Sequence, residues 1–109
     1  MRMTTFDKRE EGFEAKFAHD EELRFMAIAR CNKLLGAWVA DLLDLKDAEA
    51  KAYALTLIEP EFLGRNDERL ILKIVDDLDA KGIKRTPQEV AAKAQELLAR
   101  AVAEIEAGR

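Results

Sequence analysis

At 109 residues the chain can bury one core but not two. Hydrophobic residues make up 49%, aromatic residues only 6% and charged residues 37%, a mix that favours amphipathic helices over a sandwich or barrel. A formal charge of −4 gives no electrostatic footprint for nucleic acid, and one Cys with one His makes neither an internal disulfide nor a Cys/His zinc site. The N-terminal Met1-Arg2-Met3-Thr4-Thr5 runs into charge with no apolar stretch for a signal peptide. The longest apolar run, Leu34 to Ala40, falls far short of the ~20 residues of a membrane span. The expectation is a soluble cytoplasmic helical domain.

The first segment, Thr5 to His19, reads TFDKREEGFEAKFAH. Phe6, Phe13 and Phe17 fall within about 40° of one another on a helix, a narrow stripe among charges of both signs. Gly12 in the middle costs about 1 kcal/mol relative to Ala, and a helix this short is marginal in water. The segment is therefore expected as a flexible or marginally helical arm, residues 1–19, which needs a surface to order on. The alternative is a fifth helix packed statically on the rest.

A second helix is expected at about 20–43. Asp20 is its N-cap, with Glu21 and Glu22 in the first turn. Leu23, Ala27, Cys31, Leu34, Leu35, Trp38 and Leu42 give its stripe, and Phe25, Met26, Ile28 and Val39 widen it. Leu34 to Leu43 is apolar nearly all round, which predicts a central place and a buried Trp38. Asp44-Leu45-Lys46-Asp47 ends this helix and caps the next, at about 47–59, whose face is Ala50, Tyr53, Ala54, Leu57 and Ile58. Pro60 stops it, and Phe62 and Leu63 plug the end of the core.

The next helix, about 66–81, starts from Asn66 or Asp67, and Leu70, Ile71, Ile74, Val75 and Leu78 repeat along it every three to four residues. Gly82 suits the position just past its end, with Ile83 touching Leu78. The last helix, about 87–107, has the clearest start. Thr86 caps, Pro87 opens the first turn and Glu89 completes a capping box. Val90, Ala94, Leu97, Leu98, Ala101, Val102 and Ile105 continue the stripe. Short connections join these four helices, so the fold class is all-α. An antiparallel four-helix bundle over 20–109, with two long and two short members, follows the N-terminal arm.

Chemistry-bearing clusters are few. His19 reads as a solvated boundary residue. Its sharper reading is a pH-sensitive hinge, because Asp20, Glu21 and Glu22 beside it favour the charged imidazole. Cys31 reads as a small core hydrophobe, and Asp76, Asp77 and Asp79 as a solvated face. Lys81, Lys84 and Arg85 form a small basic cluster that reads as surface charge near a helix C-terminus; its sharper reading is contact with an anion or an adenine nucleotide phosphate. No cofactor is required and no metal site is expected. With no Ser in the chain, and no His close in sequence to Thr56 or Thr86, there is no nucleophile–base pair to support an enzyme.

The stretch FEAKFAHDEEL, Phe13 to Leu23, continues through Arg30, Asn32-Lys33-Leu34-Leu35-Gly36 and Trp38. It resembles the zeta subunit family, inhibitors of the F-type ATP synthases of alphaproteobacteria, and KIVDDLDAKGI supports the likeness further along. The resemblance implies a non-catalytic subunit that binds the catalytic sector of the ATP synthase and blocks ATP hydrolysis. Its N-terminal segment wedges as a helix between catalytic subunits and arrests rotation. The residues it implies for that segment are Thr4, Thr5, Phe6, Asp7, Lys8, Arg9, Glu10, Gly12, Phe13, Glu14, Lys16, Phe17 and His19. The protein would be cytoplasmic, peripheral on the membrane-bound enzyme, without membrane insertion, and a monomer when free. The alternative function is a generic interaction or nucleotide-binding bundle with a static N-terminal helix.

Overall fold

The computed structural model describes residues 20–63 and 68–108. The arm, residues 1–19, and the caps expected at Asn66 or Asp67 lie outside the described residues. Among the described residues there are four α-helices: α1 Glu21–Leu42, α2 Asp47–Thr56, α3 Glu68–Asp79 and α4 Pro87–Ala107. A 3-10 turn, Pro60–Phe62, follows α2. At 1.5 Å per residue α1 and α4 are about 33 and 31 Å long, and α2 and α3 about 15 and 18 Å. The two-long, two-short layout is as expected, with the inner pair shorter. α2 ends at Thr56, earlier than the expected 59, because Leu57 and Ile58 already form a turn ahead of Pro60.

The helices start and stop for local reasons. The Asp20 carboxylate accepts from Leu23 N at 3.1 Å, capping α1. Thr86 Oγ1 accepts from Glu89 N at 3.0 Å while Glu89 Oε1 accepts from Thr86 N at 2.8 Å, the capping box read from the sequence. After α3, Ile83 N donates to Leu78 O and Gly82 N to Asp79 O, with Gly82 at φ +77°. That is a Schellman end.

The end of α1 uses the same device without glycine. Leu45 N donates to Ala40 O and Asp44 N to Asp41 O, and Asp44 sits at φ +61°. An L-residue is strained there and glycine is not. Asp44→Gly is therefore expected to stabilise the fold by about 0.5–1 kcal/mol, read as a higher urea midpoint at unchanged slope. Asp44-Leu45-Lys46-Asp47 thus ends α1 but does not cap α2 as expected. The α2 N-cap position falls on Lys46, whose side chain makes no cap hydrogen bond, and Asp47 takes φ +50°.

α1 is antiparallel to both of its main neighbours. Asn32 meets Leu57 while Gly36 meets Ala54. Arg30 meets Glu104 while Lys93 lies over Trp38. α4 also packs on α3. The core gathers Ala27, Cys31, Leu35, Val39, Leu57, Phe62, Leu70, Ile71, Ile74, Leu78 and the whole expected stripe of α4. Phe62 plugs the core as expected, and Leu63 is half-buried beside it.

Three expectations about burial fail. Phe25 and Met26 do not widen the α1 stripe; they are 54% and 42% exposed. At 100° per residue they lie about 130° to either side of the centre of the stripe formed by Leu23, Ala27, Cys31, Leu34, Leu35, Trp38 and Leu42, which packs on the core. Trp38 is half-buried against the core edge, its ring 5.6 Å from Lys93 Nζ. It covers the core rather than filling it, so its truncation removes a lid, not a central plug.

Candidate functional site

Every residue of the expected inhibitory segment, Thr4 through His19, lies outside the described residues. The structure instead gives the platform from which that segment departs. α1 begins one residue after it, fixed by the Asp20 cap and by Arg24 Nη2 to Glu21 Oε2 at 3.0 Å.

Two features hold α1 rigidly in place. The first is Asn32, buried at 0% exposure, whose Nδ2 donates to both Leu57 O and Phe62 O at 2.9 Å. One amide thereby ties α1 to the end of α2 and to the 3-10 turn by donating to a carbonyl of each. The second is Gly36. A Cβ there would stand 2.6 Å from Ala54 Cα and 2.7 Å from Ala54 Cβ, so only glycine permits this approach of α2. Cys31 is buried, its Sγ 3.5 Å from Ala94 O, in keeping with the small core residue expected.

On the outer side of α1, Phe25, Met26, Ala29, Arg30 and Lys33 line a shallow groove of about 320 Å³, bounded by Ile58 and Ile105. Arg30 Nη1 lies 3.4 Å from Glu104 Oε1, and Arg100 Nε holds the other Glu104 oxygen at 3.0 Å. At this exposure such pairs orient side chains more than they stabilise the fold.

A second depression, about 370 Å³, lies where α3 turns into α4, lined by Val75, Asp79, Lys84, Arg85, Thr86, Pro87 and Glu89. It holds two of the three residues of the basic cluster. Lys84 Nζ is bonded to Asp79, and Arg85 Nη1 donates to Lys84 O at 3.2 Å. Lys84 is thus engaged internally, and Asp79 and Glu89 bring negative charge to the same wall. Nothing in this arrangement selects a phosphate.

The three aspartates of α3 do not form a uniform solvated face. Asp77 Oδ2 accepts from Tyr53 Oη and from Lys73 Nζ, each at 2.7 Å, and Lys73 Nζ stands 4.9 Å from the Tyr53 ring centroid. This links α2 to α3. Burial, then the hydrogen bond to Asp77 and its charge, push the Tyr53 phenol well above its ordinary value of 10.0. The unfolded phenol releases its proton near pH 10 and the folded one does not, so this contribution is complete below pH 10 and declines above it. Tyr53→Phe is expected to cost about 1 kcal/mol at neutral pH. In denaturant titrations, its stability should then fall less steeply than that of the parent above pH 10.

Among the described residues, no group of His, Cys, Asp and Glu could hold a metal ion, and no helix is long and apolar enough to cross a membrane. A family model described as ATPase inhibitor subunit zeta matches residues 3–104. The chain belongs to that family. The zeta match takes in the Phe-striped segment and all four helices up to the last turn of α4. No curated protein matches the chain.

Proposed function

We propose that this zeta-family chain is an inhibitory subunit of the F-type ATP synthase, with no catalysis of its own. It binds the catalytic sector and blocks ATP hydrolysis by inserting residues 1–19 as a helix between catalytic subunits, which arrests rotation. The observation that carries the proposal is the zeta match over residues 3–104, which spans both the striped segment and the bundle. The physical reading supports it. Four apolar stripes pack on one another among the described residues, and Phe6, Phe13 and Phe17 form a further apolar stripe in the sequence ahead of them. Three Phe side chains carry roughly 5–9 kcal/mol of gross burial energy to a partner.

In this account Thr4, Thr5, Asp7, Lys8, Arg9, Glu10, Glu14, Lys16 and His19 form the charged and polar flanks of the inserted helix. Phe13 and Phe17 are its anchors, because interface energy concentrates in a few buried aromatics. Phe6 contributes less, near the frayed end. Gly12 raises the cost of ordering. The bundle stays outside, and the protein acts from the cytoplasm as a peripheral component of the membrane-bound enzyme.

The test adds the purified protein to the ATP synthase catalytic sector and follows ATP hydrolysis, beside a version lacking residues 1–18. The full chain should suppress hydrolysis. The truncated one should leave it running while keeping a single cooperative melt. Equal inhibition by both, or loss of folding in the truncated chain, would remove the arm from the mechanism.

A further inference from the structure

α1 carries a second seam besides the one that packs on the core. Glu22, Phe25, Met26, Ala29, Arg30 and Lys33 recur at i, i+3, i+4, i+7, i+8 and i+11, which places them within about 140° of one another on its outward side. Phe25 and Met26 are exposed, and with Ala29, Ile58 and Ile105 they make the groove apolar along its floor. Such a patch on a chain that is 37% charged marks a contact site. The spacing fits a helix or ridge laid along α1.

Two observations point to the occupant. The first is charge. Arg30 and Arg100 share the single carboxylate of Glu104, so that cluster keeps a net positive charge. Lys33, close to one turn beyond Arg30, is exposed and forms no ion pair among the described residues. Glu22 stands at the opposite end of the seam. On a chain of formal charge −4 the groove is thus apolar at its head and locally basic at its foot. It suits an apolar ridge that carries a carboxylate about 10–12 Å further along, the rise from Phe25 and Met26 to Lys33. The second is position. Phe25 and Met26 lie only about 6–8 Å beyond the first residue of α1, and Lys33 about 18 Å. A cleft that receives the chain ahead of α1 therefore has its rim against this part of the helix.

We propose that the groove is a second docking surface for the catalytic sector of the ATP synthase, seating an apolar, carboxylate-bearing segment at the rim of the cleft. This rests on the inhibitory reading above and adds to it. The bundle then grips the enzyme beside the inserted segment instead of hanging free of it. Two linked contacts bind more tightly than either alone, because each holds the other at high local concentration. Phe25 and Met26 supply the part of the grip that salt does not weaken, and Lys33 the part that it does.

The test uses the full chain with the purified catalytic sector, following binding and ATP hydrolysis separately. Phe25→Ser with Met26→Ser should weaken binding about tenfold, with the melting temperature within a few degrees of the parent. Met26→Ser alone, at about threefold, serves if the double variant melts early. Lys33→Glu should weaken binding about threefold at low salt, a difference that shrinks as salt is raised. A benzophenone on Ala37→Cys, one turn beyond Lys33, should cross-link to an acidic, apolar segment of the enzyme. One on Leu72→Cys of α3, outside the groove, should not; Cys31, at 0% exposure, does not react. Unchanged binding by the groove variants, equal cross-linking from the two positions, or cross-links joining two copies of the chain would each overturn the proposal. Cross-links from the groove to an enzyme that keeps hydrolysing ATP would uphold it and count against the inhibitory reading alone.

Discussion

Replacing Asn32 by leucine is expected to destabilise the protein by about 3–5 kcal/mol, since the buried amide's hydrogen bonds to Leu57 O and Phe62 O are both lost, at about 1–3 kcal/mol each. The side chain is of similar size, so the effect comes from polarity and not from a cavity. Leu57 O and Phe62 O would face an apolar group where Nδ2 now stands 2.9 Å from each. With a total stability of about 5–15 kcal/mol for a domain of this size, the variant would be unfolded in part at physiological temperature. Urea unfolding followed by far-ultraviolet circular dichroism measures it directly. Asn32→Asp should fare as badly, because a carboxylate offers no donor to either carbonyl.

Gly36→Ala has the next largest expected effect, about 2–3 kcal/mol of overpacking in spite of the better helix propensity of alanine. The clash is with Ala54 Cα at 2.6 Å as well as its Cβ at 2.7 Å, so no side-chain rotation relieves it and α2 must move. Adding Ala54→Gly takes the methyl group out of the clash, but the backbone carbon at that position still obstructs. The double variant should recover part of the loss, and a double-mutant cycle isolates that coupling. Full recovery would mean that α2 moves away readily, and that the close approach is not what holds it.

These two residues also mark where the sequence stops being legible. Thr86-Pro87-Gln88-Glu89 and Gly82 can be read directly, because each makes its hydrogen bonds within a few residues. The stripe of α4 is legible for a similar reason: an unbroken helical period has one solution. Asn32 and Gly36 stand in the stretch that carries the family resemblance, but their roles are hidden there. The partners of Asn32 lie 25 and 30 residues away and are backbone carbonyls, which carry no sequence signal. Asp77 is hidden likewise, its partner Tyr53 being on another helix. Asp44 escapes notice as a left-handed helix end because the position lacks the glycine that usually announces it.

Phe25 and Met26 show a different failure. Their angular positions already place them off the buried stripe of α1, and hydrophobicity alone assigns them to the core. Side chains of that size facing outward are more informative about contacts than any charged residue near them. The bundle supplies a rigid platform, and the proposed role of the arm rests on its Phe stripe and on the family.

The account turns on Phe13 and Phe17. The most direct measurement is ATP hydrolysis by the catalytic sector, titrated with the parent protein and with the Phe13→Ala/Phe17→Ala variant. Inhibition should weaken by well over tenfold, a loss exceeding about 1.4 kcal/mol, while the melting temperature stays within a few degrees of the parent. Undiminished inhibition by the double variant would contradict the account, because an arm that inhibits without its aromatic anchors does not work by docking them.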